Sequence, residues 1–124
     1  TITILGLADK SVNRYYDRML HTLMAGQEDS FNILLSHRPE VFETYVKENI
    51  DLAFTGHAHG GQIMIPFTKI GIFAPHQGFF PKYTKGMYEK DGTVMVVSRG
   101  LGNSSFPFRI FNRPELVEVT LQAK

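Results

Sequence analysis

A chain of 124 residues, 43% hydrophobic and 20% charged, has apolar material for one domain at most, and its net charge of +1 gives no electrostatic reason for a nucleic-acid or membrane partner. With no cysteine it holds neither disulfides nor thiolate zinc sites, so a metal would rely on histidine, carboxylate, amide or water. No apolar stretch approaches the roughly 20 residues of a membrane-spanning helix and no signal-peptide pattern opens the chain, which reads as soluble as written.

Residues 1–7 are rich in β-branched side chains and predict a strand, and a chain that starts directly in a strand reads as cut from something longer. Ser11 is placed to cap a helix whose apolar positions Val12, Tyr16, Met19, Leu20, Leu23 and Met24 recur at spacings of three and four, ending near Gly26. Residues 31–36 predict a second strand. Pro39 opens a second helix running to about Asn49 and carrying Val41, Phe42, Tyr45 and Val46. Residues 50–55 are a short apolar run of the kind buried on both faces of a sheet. This β-α-β-α-β order predicts a parallel sheet with right-handed crossovers.

Beyond Gly61 the character changes. Residues 62–66 form a short extended piece, and residues 67–85, rich in Gly, Pro and aromatics without periodicity, predict a long ordered loop. Asp91-Gly92 between two strand-like runs is the type I′ hairpin signature, so antiparallel pairing is expected there. A glycine-rich loop over residues 99–105 follows, and residues 115–121 alternate as a final half-buried strand. Phe73, Phe79, Phe80, Phe106, Phe108 and Phe111 are read as core beneath the long loops.

Gly56-His57-Ala58-His59-Gly60-Gly61-Gln62 carries the chemistry. Two imidazoles two residues apart at the end of a buried strand point the same way, their neutral nitrogens suit zinc, iron or manganese, and the flanking glycines let ions or phosphate oxygens approach the backbone. His37 ends the neighbouring strand directly before Arg38-Pro39, so adjacent parallel strands would present His37, His57 and His59 along one rim, where open α/β sheets place their sites. His21 and His76 read as surface or packing residues, His76 being the better placed to touch a substrate. Arg99 and Arg109 are able to clamp a phosphate but read first as loop ties. Asn103 suits a turn or a phosphate contact equally well.

The order Leu35-Ser36-His37-Arg38-Pro39-Glu40, helix, strand, then Thr55-Gly56-His57-Ala58-His59-Gly60-Gly61-Gln62 resembles the calcineurin-like metallophosphoesterases, in particular their bacterial YkuE/YaeI-like branch. Val97-Ser98-Arg99-Gly100-Leu101-Gly102 and Asn112-Arg113-Pro114-Glu115 resemble that branch too, so the likeness covers nearly the whole chain. It implies an α/β sandwich of which residues 1–124 are the C-terminal half, parallel in its first part and antiparallel later. It also implies hydrolysis of phosphomonoesters or phosphodiesters by a hydroxide activated between two divalent ions (Mn, Fe or Zn), with His37 and His57 on one metal and His59 on the other.

The family's Asp-x-His, Gly-Asp-x-x-Asp and Asn-His motifs are missing from this sequence; Asp9-Lys10-Ser11 and Gly102-Asn103-Ser104 are the nearest imitations. Neutral imidazoles cannot replace the anionic ligands that offset two neighbouring cations. The expectation is therefore a chain inactive alone, partnered by the missing N-terminal half and by a phosphate-ester substrate touched by Arg99, Asn103 or His76, and prone to self-association through an unpaired edge and uncovered face. A non-catalytic scaffold and a stand-alone single-metal module are the competing readings. Envelope association of the complete protein is implied by the resemblance alone.

Overall fold

The computed structural model describes residues 1–11, 14–68, 70–104 and 106–123. Its frame is a five-stranded sheet of order β1-β2-β3-β7-β6, built from β1 (Ile2–Gly6), β2 (Phe31–Leu35), β3 (Leu52–Thr55), β6 (Gly86–Lys90) and β7 (Thr93–Val97). Strands β1, β2, β3 and β7 are parallel neighbours, and β6 pairs antiparallel to β7. This is the expected α/β arrangement, parallel first and antiparallel later. The hairpin turns on Asp91 (φ +49°) and Gly92 (φ +85°), both left-handed as a type I′ turn requires.

Because β1, β2 and β3 follow one another across the sheet in one direction, both crossover helices fall on the same face. Helices α1 (Tyr16–Met24) and α2 (Phe42–Lys47) pack Tyr16, Leu20, Phe42 and Tyr45 against Leu5, Leu34, Ala53, Met95 and Val97. A 3-10 turn, Pro39–Val41, opens α2 with proline in its first turn.

The register also sorts the opposite face. Ile2, Ile4, Phe31, Ile33, Leu35, Leu52, Phe54, Val94 and Val96 share it, and only Ile33, Leu52 and Val96 among them are both buried and clustered. Toward the β1 edge it is open, Ile4 being 67% exposed.

Several local expectations fail. Ser11 caps no helix: its backbone N–H donates to Asp9 Oδ1 at 2.8 Å, and α1 begins at Tyr16 with no side-chain cap. Val12 lies outside the described residues. Residues 115–121 form no strand, since after Glu115 the chain is mostly exposed and joins no ladder among the described residues. Alternation there marks a surface that has found no partner strand.

The long loop contains a two-residue hairpin, β4 (Phe73–Ala74) with β5 (Gly78–Phe79). The six phenylalanines are not core; all are exposed, Phe79 at 74%. Phe73 stacks edge-on against Phe79 at 5.5 Å on the outside of the hairpin, while Ala74 and Tyr83 take the inward places.

Three hydroxyls tie the helices to the sheet. Tyr16, Ser36 and Tyr45 meet with Oη–Oγ distances of 2.6 and 2.7 Å and an Oη–Oη distance of 2.9 Å, while Tyr45 donates to the Arg38 carbonyl at 2.6 Å. With one proton spent outward, two remain for the three edges of the triangle, so the cluster has no donor to spare. Burial drives the Tyr45 phenol far above its usual range, which keeps that proton in place. Tyr45→Phe removes the outward donor and is expected to lower stability by about 1–3 kcal/mol, measured by urea unfolding.

Candidate functional site

The parallel strands end on one rim, and each delivers a polar side chain to it. Asp9 follows β1, His37 and Arg38 follow β2, His57 follows β3, and Arg99 follows β7. The ladder continues past the strand ends, with Ser36 N–H donating to Phe54 O at 3.1 Å and Ser98 N–H to Thr55 O at 2.9 Å. His37 and His57 therefore come side by side for a backbone reason.

Their rings meet edge-on at 4.6 Å between centroids, with His57 Nδ1 2.8 Å from His37 Nε2. The other nitrogen of His57 lies 2.8 Å from His76 Nδ1 and 3.1 Å from Arg38 Nη1. A guanidinium only donates, so His57 Nε2 is an acceptor and the proton of the neutral ring sits on Nδ1. Burial, reinforced by Arg38, His37 and His76, lowers the His57 pKa to about 4. At neutral pH this ring is an uncharged imidazole.

His59 takes a different position. Its Nδ1 is 3.4 Å from Arg109 Nη2, and burial together with the Arg109 charge lowers its pKa as well, His37 adding to the effect. His37 and His57 are in direct contact, and His59 is set apart from them. His76 joins the rim, His21 instead binds Glu48 Oε2 at 2.8 Å on the surface, and Asn103 is exposed.

The loop carrying these histidines is wound the unusual way. His57, His59, Gly60, Gly61 and Gln62 all have positive φ, between +46° and +72°. For His and Gln that conformation is strained, and strain of this kind persists where neighbours over-determine it. Asn112 is the neighbour: its Nδ2 donates to His59 O at 2.5 Å and to Gln62 O at 3.1 Å. A Cβ on Gly60 would collide with the Asn112 amide, so glycine is required for this lock to close. Across the loop, Gly61 and Gly71 cross so closely that a Cβ on either would meet the other's Cα within 2.6 Å.

Sequence reasoning missed three parts of this arrangement. Arg38 is buried, with its Nη2 and Nε 2.7 and 2.8 Å from the two oxygens of Asp9, and its Nη1 3.3 Å from Glu40 Oε1. Asn112 sits fifty residues from the loop it locks, and its only sequence signal is its place in the Asn112-Arg113-Pro114-Glu115 stretch. Arg109 does more than tie its loop, because it also reaches His59. Arg99 is held by Glu115, through Nη2 at 2.7 Å and its own backbone N–H at 2.9 Å.

As imidazoles His37 and His57 have the chemistry of metal ligands, but in this arrangement the Nδ1 proton of His57 lies between them, so ligation through Nδ1 requires the other tautomer and release of Nε2 from Arg38. Among the described residues no group of three or more His, Asp or Glu side chains is arranged to hold an ion. The nearest carboxylates, Asp9 and Glu40, are occupied by Arg38. Among the described residues no helix is long and apolar enough to cross a membrane.

No protein-family model matches the chain, and no solved structure matches it. Curated relatives do. Over 102 residues it is 36% identical to YkuE of Bacillus subtilis, named an uncharacterized metallophosphoesterase, a match covering 82% of this chain and 35% of YkuE. An uncharacterized metallophosphoesterase of Aquifex aeolicus is 27% identical over 128 residues, covering 99% of this chain and 46% of the relative. LpxG of Chlamydia muridarum, named a UDP-2,3-diacylglucosamine pyrophosphatase, is 33% identical over 90 residues, covering 68% and 27%. The chain spans between about a quarter and about a half of the length of these relatives.

The rim has an acid-sensitive tie. The hydrogen bonds from Arg38 hold the Asp9 carboxyl well below the usual carboxylate range. A depressed folded-state pKa means that the stabilisation is complete above the unfolded value, about 3.9, and fades as the pH falls toward the folded one. Asp9→Asn should therefore be less stable than the parent near neutral pH, by about 1–2 kcal/mol, and the gap should narrow between about pH 4 and pH 2 in urea unfolding.

Proposed function

Since the chain belongs to the metallophosphoesterases, as its match to YkuE and its α/β frame show, we propose that it supplies His37, His57 and His59 to a two-metal phosphoesterase centre. In this reading residues 1–124 are the C-terminal half of the catalytic domain, His37 and His57 serve one ion, His59 serves the other, and carboxylates from the remaining part of the enzyme complete the set. The observation that supports it is the side-by-side placing of the His37 and His57 rings, 4.6 Å apart, at the ends of adjacent parallel strands.

Bound divalent ions would supply the Lewis-acid charge that phosphoester hydrolysis requires. What the residues of this chain contribute is a prepared pair of imidazoles. Burial lowers the His57 pKa to about 4, so the ring is uncharged near neutral pH, and a change of tautomer would open Nδ1 to an ion. The strained loop that carries His57 and His59 is locked by Asn112. The relationship to LpxG, named a pyrophosphatase, supports hydrolysis at phosphorus as the reaction class.

The chain alone is proposed to have little or no activity, because Asp9 and Glu40 are engaged with Arg38 and no other carboxylate among the described residues joins the rim histidines. The apolar face bearing Ile2, Ile4, Phe31 and Leu35 is proposed to seat the rest of the domain, and to seat a second copy when the chain is by itself.

Calorimetric titration of manganese and zinc into the chain should show binding that weakens at least about tenfold in His37→Ala and in His57→Ala; affinity unchanged by either substitution rejects the metal assignment. In the same preparations p-nitrophenyl phosphate and its bis ester should not be hydrolysed above background, and robust metal-dependent turnover would overturn the proposed dependence on further carboxylates. Light scattering at micromolar concentration should give a mass above that of one chain; a monomer with cooperative unfolding would show the open face to be tolerated.

A further inference from the structure

One arginine, Arg38, is buried and two, Arg99 and Arg109, are half-buried, and they are not equally provided for. Arg38 is paired with Asp9 and Glu40, and Arg99 with Glu115. Arg109 has no carboxylate partner among the described residues. Only its Nη2 is engaged, by Arg99 O at 2.8 Å, by Gly102 O and by His59 Nδ1 at 3.4 Å. Its Nε and Nη1, which carry three of the five N–H bonds of the guanidinium, are shielded from solvent and have no hydrogen-bond partner among the described residues. Arg99 Nε, just beyond the carboxyl end of β7, is in the same condition.

Buried donors are almost always satisfied, and a shielded cation without a counterion is costly. Here two guanidiniums, Arg99 and Arg109, come together with one carboxylate among the described residues, Glu115 on Arg99, so the local balance is positive. The guanidinium that carries these orphaned N–H groups reaches His59 through its Nη2. Both the geometry and the charge ask for an anion with several acceptor oxygens, and a tetrahedral phosphoryl group provides that.

We propose that Arg109, seconded by the Nε of Arg99, is the phosphate clamp of this chain, binding the phosphoryl oxygens of the ester substrate and of the released phosphate. The proposal rests on the phosphoesterase reading for its substrate but not on the metal for its affinity. The carbonyls of Arg99 and Gly102 hold Nη2 and so aim the remaining N–H groups. Glu115 has a different part: it anchors Arg99 and neutralises one of the two charges, leaving Arg109 as the one that calls for a ligand.

The test is titration of the full chain with inorganic phosphate in the presence of a chelator, read by calorimetry and by the arginine Nε–H resonances. Saturable binding is expected, with a dissociation constant of the order of millimolar. Arg109→Lys, which keeps the charge and loses the planar fork, should weaken it at least about tenfold, as should Arg109→Gln, while Arg113→Gln at the exposed neighbouring arginine should not. In the unsubstituted chain the Arg109 Nε–H signal should move with phosphate and that of Arg38 should not, a readout that survives if the variants fail to fold. Absence of saturable binding up to about 20 mM phosphate, or equal affinity in parent and Arg109→Lys with both folded, overturns the clamp and leaves Arg109 as a loop tie. Phosphate binding without metal binding would sink the metal centre and keep the clamp; metal binding lost in His57→Ala without phosphate binding would do the reverse.

Discussion

The buried guanidinium of Arg38 is the constraint on which the rim is built. A cation withdrawn from water must be surrounded by acceptors, and its acceptors come from three places: Asp9 after β1, Glu40 in the turn that opens α2, and His57 after β3. Segments that the sheet merely brings near one another are thereby held in one arrangement. The backbone carbonyl of Arg38 is in turn held by Tyr45, which meets Tyr16 and Ser36 below it. The hydroxyl cluster thus fixes the main chain on which His37 stands, while the ion pairs fix the side of the rim that His57 faces.

The second half of the rim is held differently. There the chain runs through five left-handed residues between His57 and Gln62, and the amide of Asn112 keeps it so by filling the space a Cβ on Gly60 would need. Two devices of unlike chemistry, charge on one side and a strained loop under an amide on the other, position His57 and His59, whose pKa values burial lowers. The extended chain beyond β7 matters for what it returns to the rim: Asn112 for the loop, Glu115 for Arg99 and Arg109 for the exposed side of His59.

The two faces of the sheet tell a complementary story. One is sealed by α1 and α2 into a continuous core. The other carries an in-register apolar row that stays partly open, and six phenylalanines in the later loops are exposed too. The chain spans at most about half the length of YkuE and of the Aquifex aeolicus relative, and the apolar surface it leaves in water is what the proposed docking of the open face would cover.

The parallel order of the strands, the Asp91-Gly92 hairpin and the placing of His37 and His57 on neighbouring strand ends were all readable from periodicity, turn chemistry and strand polarity, because each depends on residues close in sequence. The start of α1 was not, because Asp9, which bonds the Ser11 N–H, is itself held by Arg38, and the helix starts only where Tyr16 reaches the core. Nor was the failure of residues 115–121 to form a strand, since alternation specifies a face but does not provide a neighbour. Asn112 on Gly60, Arg38 against His57 and Arg109 against His59 bring together residues far apart in the chain, and only the folded backbone decides which of them meet. Local pattern determined where the imidazoles stand, and tertiary packing decided the lowered pKa of His57 and His59, the partners of the rings and the charge left over beside them, because burial and long-range contact set those quantities.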